Sequence, residues 1–177
     1  NVTVLDDNKC FDVTTATVTE PSVVTATASQ TAPVSCIGGS DGTTTAIGSG
    51  GNGATYTYNW DTAPIQNTSI ATGLSSGILY SVTVTDVSGV CNDITTITIA
   101  EPATSVTASI VSSTSVTCNG GSDGTATASG AGGNGAPFTY LWSNGDGAAI
   151  ASNLSSGITY SVTVTDVSGV CNDITTI

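Results

Sequence analysis

Five cysteines, and aspartates placed in glycine-rich turns, are the residues of this 177-residue chain that could do chemistry. The chain has no histidine, so it offers no Ser-His or Cys-His pair for nucleophilic catalysis and no imidazole for zinc. Cysteines without histidine in a Thr-rich chain indicate disulfides before metal ligands. We therefore expect structural cross-links, no catalytic residues and no cofactor.

The aspartates beside glycine are the candidate metal ligands. Carboxylates in such loops can bind Ca²⁺, which takes about six to eight oxygen ligands. Asp-Gly is also an ordinary turn dipeptide, and Asp side chains cap their own backbone. We expect turn chemistry, because no Asp-x-Asp-x-Asp-Gly loop occurs. Calcium is the alternative at four positions: Asp41, Asp86, Asp123 and Asp166.

Composition narrows both the fold and the partners. One Lys, no Arg and a net charge of -12 leave nothing to neutralise the phosphates of nucleic acid, and an anionic membrane surface would repel the chain. No stretch approaches the length of a membrane span, so we expect no insertion. Abundant Thr, Val, Ser and Gly favour strands and tight turns, and no window has a helical apolar stripe. The chain is predicted to be all-β.

An internal repeat organises the chain. Residues 80–97 and 160–177 are the same string. Upstream of it, Cys36 matches Cys118 and Trp60 matches Trp142, each pair 82 residues apart. Two Glu-Pro dipeptides mark the boundaries, since Pro ends ladder pairing and stiffens a junction. The predicted domains are the end of a preceding repeat, one complete repeat and one repeat truncated in its last strand, at residues 1–21, 22–102 and 103–177.

Alternation of apolar and polar residues predicts the strands. Tyr80, Val82 and Val84 alternate with Ser and Thr, as in a half-buried strand. Several short strands between Gly-rich turns are typical of a β-sandwich. Trp60 and Trp142 are interpreted as core aromatics on its third strand, not as a platform for sugars. Further inward positions are expected at Ile70, Leu74, Ile97, Ile99, Ala126 and Ala128.

The segment from Leu74 to Tyr80, repeated from Leu154 to Tyr160, resembles the tyrosine corner of Ig-like and fibronectin-III-like sandwiches. Tandem sandwiches of this kind would form an elongated rod whose partners are neighbouring repeats of the same chain.

The cysteines allow three pairings, which the sequence leaves open. Closure within a repeat gives Cys36–Cys91 and Cys118–Cys171, with Cys10 paired outside the chain. Closure across a boundary gives Cys10–Cys36 and Cys91–Cys118. The third links the first turn of one repeat to the last turn of the next, as Cys36–Cys171. We favour the first, because a small domain gains about 2–4 kcal/mol from its own staple. Against it, the two turns lie at opposite ends of an orthodox sandwich, and bonded Cα atoms lie within about 7 Å.

Four short motifs occur in one order, twice: Cys-x-Gly-Gly-Ser-Asp-Gly, a Gly-Gly-x-Gly segment leading to Trp, the Leu-to-Tyr corner, and a late Cys. Together they resemble the SprB repeat of large surface adhesins of gliding Bacteroidetes. The positions that carry the resemblance are 36–42, Trp60, 74–86 and Cys91, then 118–124, Trp142, 154–166 and Cys171.

The SprB resemblance implies an exported repeat region, secreted by the type IX system, that forms a stalk and contacts polysaccharide-rich surfaces. It implies an extracellular, cell-surface location and supplies no catalytic residues. The segment Asp61-Thr62-Ala63 resembles the O-glycosylation site of exported Bacteroidetes proteins, which makes Thr62 a candidate for modification.

The sequence is compatible with two functions. The first is a structural spacer in an adhesin or filament. The alternative is a glycan-binding module that acts through the loops at 61–69 and 143–149, where the two copies differ in length and sequence. Repetition would give such a module avidity.

Overall fold

The computed structural model describes all residues from Asn1 to Ile177. The chain first forms a hairpin of β1 (Val2–Leu5) and β2 (Phe11–Thr14). The next six strands form repeat A: β3 (Ser22–Ala32), β4 (Gly42–Gly51), β5 (Tyr56–Trp60), β6 (Ile70–Leu74), β7 (Leu79–Asp86) and β8 (Asn92–Thr98). The last six form repeat B: β9 (Thr107–Thr114), β10 (Gly124–Ala131), β11 (Thr139–Trp142), β12 (Ile150–Leu154), β13 (Ser161–Thr165) and β14 (Asn172–Thr176).

Each repeat is a sandwich of two three-stranded antiparallel sheets. In repeat A the sheets have the orders β3-β4-β6 and β5-β7-β8, and in repeat B the orders β9-β10-β12 and β11-β13-β14. The expected all-β, Ig-like fold is therefore confirmed. The chain has no helix with the length and hydropathy needed to cross a membrane.

The core of each sandwich lies between its two sheets, and the paired strands β5 and β7, or β11 and β13, line one side of it. Trp60, Val82 and Val84 are almost fully buried in repeat A. Trp142, Val162 and Val164 take the same places in repeat B. In the facing sheets, strands β4 and β10 contribute the buried alanines Ala46, Ala126 and Ala128 to the same cores. The interpretation of both tryptophans as core residues holds.

The expectation for Ile70 is wrong. Its side chain is 48% exposed, and Ala71 and Leu74 face the core instead. The pairing of β4 with β6 shifts register between Gly42 and Thr44, which is a β-bulge. One extra residue on β6 breaks the period of two, so the apolar residue that precedes the bulge faces solvent.

The tyrosine corner is present in both repeats. The hydroxyl of Tyr80 accepts a hydrogen bond from the backbone N–H of Ser75 at 2.9 Å. Tyr160 makes the same bond with Ser155 at 3.0 Å. The corner ties the turn after β6, or β12, to the strand that carries the valine core.

In each repeat a carboxylate on an edge strand of one sheet accepts a hydrogen bond from an edge strand of the other sheet. Asp93 on β8 accepts a hydrogen bond from the backbone N–H of Ala26 on β3, at 2.8 Å. Asp173 on β14 accepts the equivalent bond from Ala108 on β9, at 2.9 Å. An edge N–H that would otherwise be open to another strand is thereby paired within its own repeat.

Candidate functional site: the junction between repeats

A disulfide between Cys36 and Cys171 joins the two repeats, with the two Cα atoms 5.5 Å apart. Cys36 lies in the β3–β4 turn of repeat A, and Cys171 lies in the β13–β14 turn of repeat B. This is the third of the pairings that the sequence left open. The favoured closure within each repeat, Cys36–Cys91 and Cys118–Cys171, is wrong in this structure.

The physical reason is that each repeat carries its two cysteines at opposite ends. The β3–β4 turn meets the end of repeat A, where the backbone N–H of Gly38 donates to the carboxylate of Glu101 at 2.9 Å. Cys91 instead lines a groove with Pro21 and Val23, where repeat A begins. Two residues separated by the length of a sandwich cannot approach to bonding distance.

The turn that presents Cys36 is held by an aspartate. Asp41 accepts hydrogen bonds from the backbone N–H of Ser35 at 2.8 Å and from its hydroxyl. The N–H of Gly39 closes the turn on the carbonyl of Cys36 at 2.9 Å. The cysteine is therefore fixed in place before it meets its partner.

The turn that presents Cys171 is held by a buried carboxylate. Asp166 is 2% exposed and accepts hydrogen bonds from the backbone N–H groups of Asn134 and Ser168, at 2.7 and 3.0 Å. Both side chains donate to it as well. A carboxylate that takes four donors is a rigid anchor for the turn that it starts.

Asn134 extends this anchor across the junction. Its side-chain amide donates to the carbonyl of Ser35 in repeat A at 2.6 Å and to Asp166 at 3.0 Å. The sequence reasoning missed this residue. A signal existed, since Asn52 and Asn134 recur 82 residues apart in matching Gly-Gly-Asn-Gly segments.

Apolar residues surround the disulfide. Ile37 from repeat A and Val170 from repeat B line one pocket with both cysteines and with Pro102 of the linker. The proline that marks the repeat boundary in the sequence therefore packs at the joint. The junction combines a covalent bond, a hydrogen bond and a small apolar contact.

The four aspartates considered for calcium lie in four separate turns. Asp123 holds the β9–β10 turn through Thr117, as Asp41 does through Ser35. Asp86 accepts from Asn52 and Ser88, as Asp166 does from Asn134 and Ser168. No group of three or more Asp, Glu, Cys or His residues is close enough to hold a metal. The oxygens are used by the protein's own donors.

These hydrogen bonds lower the carboxylate pKa values. The hydroxyl of Ser35 is the main cause for Asp41, and the hydroxyl of Ser88 is the main cause for Asp86. For Asp166 burial raises the pKa, but the bonds from Asn134 and Ser168 outweigh burial, so the pKa ends below its ordinary value of 3.8. The same direction holds for Glu101, Asp123 and Asp146.

We expect stability to fall in acid. A carboxylate whose pKa is lower in the folded chain stabilises the fold above its unfolded pKa, and that contribution disappears as pH falls through the folded pKa. The melting temperature should change little from pH 7 to 5, since the chain has no histidine, and should fall below about pH 4. Thermal melts followed by near-ultraviolet circular dichroism measure this.

The matched pair for the acid prediction is Asp86→Asn against Asp7→Asn. Both remove one negative charge, but Asp7 is exposed and accepts no hydrogen bond. We expect Asp86→Asn to lower the melting temperature at pH 6 and to narrow the gap to the unsubstituted chain at pH 3. Equal effects of the two substitutions would contradict the role given to the buried carboxylate.

Thr62 is not presented for modification in this structure. It is 8% exposed, and its hydroxyl donates to the carbonyl of Pro64 at 2.8 Å. A glycan on this oxygen would require the 61–69 loop to open. The candidate O-glycosylation site therefore gains no support from the geometry.

The variable loops of the two repeats do the same structural task with different residues. The indole N–H of Trp60 donates to the carbonyl of Thr68, and that of Trp142 donates to Ala148, both at 3.0 Å. Gln66 pairs with the backbone N–H and carbonyl of Thr72 on the edge strand β6. In repeat B, Asn144 donates to the carbonyl of Ser152 on the edge strand β12, and Asp146 accepts from its backbone N–H.

Three cysteines are unpaired and exposed: Cys10, Cys91 and Cys118. Cys118 occupies the turn that Cys36 occupies one repeat earlier, and Cys91 occupies the turn that Cys171 occupies one repeat later.

The family model of the SprB repeat matches residues 28–64 and 110–147. Each match runs from the first strand of a repeat, through the turn with Cys36 or Cys118, to the tryptophan strand and the loop after it. Two segments of the chain therefore match the SprB repeat, the family that its motifs resemble. SprB repeats are associated with cell-surface proteins and are structural units.

Other comparisons concern the fold. No curated protein sequence matches the chain. Among solved structures, the three N-terminal domains of the bacteriophage RB49 Highly Immunogenic Outer Capsid protein (Hoc) match with a TM-score of 0.50 and 17% identity. The match covers 88% of this chain and 57% of that one. At this identity the likeness shows only that both are tandem β-sandwich proteins.

Proposed function

We propose that these SprB repeats are a stalk, a structural spacer that transmits tension in a cell-surface adhesin or filament and performs no catalysis. The observation that carries the proposal is the disulfide from Cys36 to Cys171, which joins one sandwich to the next. A spacer gains from such a bond, because the bond removes a hinge where two domains meet. A binding module that works alone gains nothing from it.

The same bond supports a location outside the cell. Structural disulfides form and persist in oxidising compartments and are rare in the cytosol. The association of SprB repeats with cell-surface proteins points the same way. The proposal extends to export by the type IX system of a Bacteroidetes bacterium and to gliding or adhesion, on the strength of the family resemblance.

The polar residues support a structural role over catalysis. Asp41, Asp86, Asp123 and Asp166 each hold a turn and accept hydrogen bonds from backbone and side-chain donors of that turn or of the loop beside it. The chain has no histidine that could serve as a general base. Its negative charge keeps closely spaced copies apart in solution and discourages association.

Glycan binding through the variable loops is less well supported. Both tryptophans are buried, so neither indole face is open for a sugar ring to stack on. Gln66 and Asp146 are engaged with the edge strands of their own repeats. Contact with surface polysaccharide would then belong to other parts of the adhesin.

Scattering tests the stalk directly. Two sandwiches placed end to end should give a radius of gyration well above the roughly 16 Å of a compact globule of 177 residues. We expect small-angle X-ray scattering to show an elongated particle, and a glycan array probed with the same chain to show no binding. A compact particle, or a particle that behaves as freely jointed beads, would contradict the stalk. Selective glycan binding would favour the alternative.

A further inference from the structure

We propose that Cys91 and Cys118 form the same disulfide with further SprB repeats, so that each repeat of an array is bonded to the next. We call this series of overlapping bonds the disulfide ladder. The cross-linking partner is another copy of this repeat. The inference deepens the proposed stalk and rests on it for its purpose, but the bonds can be tested separately.

The turn at Cys118 already has the geometry of the bonded turn at Cys36. Thr117 donates its backbone N–H to Asp123 at 3.0 Å, and Ser35 donates to Asp41 at 2.8 Å. In both turns a glycine N–H closes on the cysteine carbonyl, from Gly121 at 2.8 Å and from Gly39 at 2.9 Å. The structure thus holds the Cys118 thiol, which is exposed, in the position from which Cys36 makes its bond.

The turn at Cys91 has the geometry of the bonded turn at Cys171. Asp86 accepts from Asn52 and Ser88 at 2.8 and 3.0 Å, against 2.7 and 3.0 Å for the bonds of Asp166. The two cysteines differ in exposure, as expected if a bonded repeat covers one of them and not the other. Cys91 is exposed, whereas Cys171, against repeat A, is 7% exposed.

Asn52 supplies a second, independent sign of a partner. Its side-chain amide donates to Asp86 at 3.1 Å, as the amide of Asn134 donates to Asp166 at 3.0 Å. Asn134 uses the same amide to donate to Ser35 of the preceding repeat. Asn52 makes only the first bond, so one donor beside Cys91 is ready for the carbonyl that precedes a partner cysteine.

Cys10 belongs to the same class. It follows a turn in which the N–H of Asp6 donates to the carbonyl of Cys10 at 2.9 Å, as Asp86 donates to Cys91 at 3.0 Å. Asn8 donates to the Asp6 carboxylate, as Ser88 donates to Asp86. Each of the three unpaired cysteines therefore lies in a turn that resembles one of the two turns joined by the Cys36–Cys171 bond.

The disulfide ladder would leave little chain between successive bonds that tension could extend. The observed bond spans 135 residues, which exceeds the 80–82-residue period, so successive bonds overlap. Between Cys91 and Cys118 the covalent path is 27 residues, with a maximum reach of about 95 Å. That path consists mainly of β8, the linker and β9, which already run extended at about 3.3 Å per residue. The array is nearly inextensible under tension.

Each bond forms by thiol–disulfide exchange with an exported protein that carries an oxidising disulfide. Two cysteine thiols become one disulfide, and the oxidant takes up two electrons and two protons as a dithiol. The partner thiols must be held together before exchange, and the preset turns do that.

The test is an extended chain with residues 98–177 appended after Ile177. The segments 80–97 and 160–177 are identical, so the new joint repeats a natural sequence. The extension adds two cysteines, the copies of Cys118 and Cys171. After oxidation, we expect peptide mapping without reduction to find Cys36–Cys171 and a new bond from Cys118 to the appended copy of Cys171.

Counting thiols gives a second readout. The original chain should take three alkylations, at the three unpaired cysteines. The extended chain should also take three, because its extra bond consumes the two thiols at the new junction. Five alkylations, or a bond from Cys118 to Cys91 or to Cys171, would overturn the proposal. The control Cys118→Ser should abolish only the new bond.

The two proposals can fail separately. If scattering shows an elongated chain but Cys118 stays a thiol in the extended chain, the ladder is wrong and the stalk stands. If the new bond forms but the chain scatters as a globule, the ladder stands and the stalk is wrong.

Discussion

Replacing Trp60 with Ala is expected to lower the free energy of unfolding of repeat A by about 3–5 kcal/mol. The side chain is 1% exposed and packs among the valines of β7. Its indole N–H also holds the 61–69 loop through Thr68. The substitution removes the largest core side chain and the anchor of the loop together.

Urea unfolding, with hydrogen exchange to assign the loss to a repeat, measures the effect of Trp60→Ala. Faster exchange should appear in β5 and β7, while repeat B keeps its own core around Trp142. The matched control is Ile65→Ala in the same loop, which is 64% exposed and should change the free energy by less than about 0.5 kcal/mol. Normal stability with lost sugar binding would contradict the core role.

Removing the Cys36–Cys171 bond should have the second large effect. With both residues changed to Ser, the junction keeps one hydrogen bond and a small apolar contact. Without the bond the unfolded chain gains conformational entropy, and for a loop that spans 135 residues this sets an upper bound of about 5 kcal/mol on the free energy of unfolding that is lost. We also expect the junction to become a hinge, because two domains held by a small interface move relative to each other.

Backbone ¹⁵N relaxation of the isotopically labelled chain measures the hinge, and urea unfolding measures the stability lost. The oxidised chain should show one correlation time for both repeats, and the Cys36→Ser, Cys171→Ser variant should show two shorter ones. Cys118→Ser is the matched control, since it alters the equivalent turn of repeat B but no bond within this chain. If Cys118→Ser loosened the chain as much as the double substitution does, the loss of a cysteine from the turn would be the cause and the loss of the bond would not.

The sandwich itself could be predicted because its signals are local. Alternation at Tyr80, Val82 and Val84 gives the buried strand directly, and the corner at Leu74 gives its start. Ile70 could not be predicted in the same way. The bulge opposite Gly42 and Thr44 depends on the partner strand, and a period of two cannot show it.

The junction was harder to predict because its contacts cross from one repeat to the next. Cys36 and Cys171 are 135 residues apart, and only the end-to-end order of the two sandwiches brings them together. The two turns of one repeat lie at opposite ends of the sandwich, which excludes closure within a repeat. The entropic gain of a bond within one domain favours that closure in the sequence, but it does not decide which cysteines meet.

The variable loops show why a difference between copies was a weak sign of binding. Gln66 in repeat A, and Asn144 with Asp146 in repeat B, bond to the equivalent edge strands β6 and β12. An edge N–H and carbonyl need partners, but several side chains can provide them. The loop sequence is free to vary while its structural task stays constant.

Pulling a single chain by Asn1 and Ile177 shows whether one disulfide spans both repeats. If Cys36 and Cys171 are bonded, force bypasses the residues between them, and neither sandwich can release its full length. Adding a reductant should lengthen the fully extended chain by 135 residues, about 470 Å. An oxidised chain that already extends to its full length would contradict the account. So would a gain of the size expected for closure within each repeat, which is 55 residues for Cys36–Cys91 together with 53 residues for Cys118–Cys171.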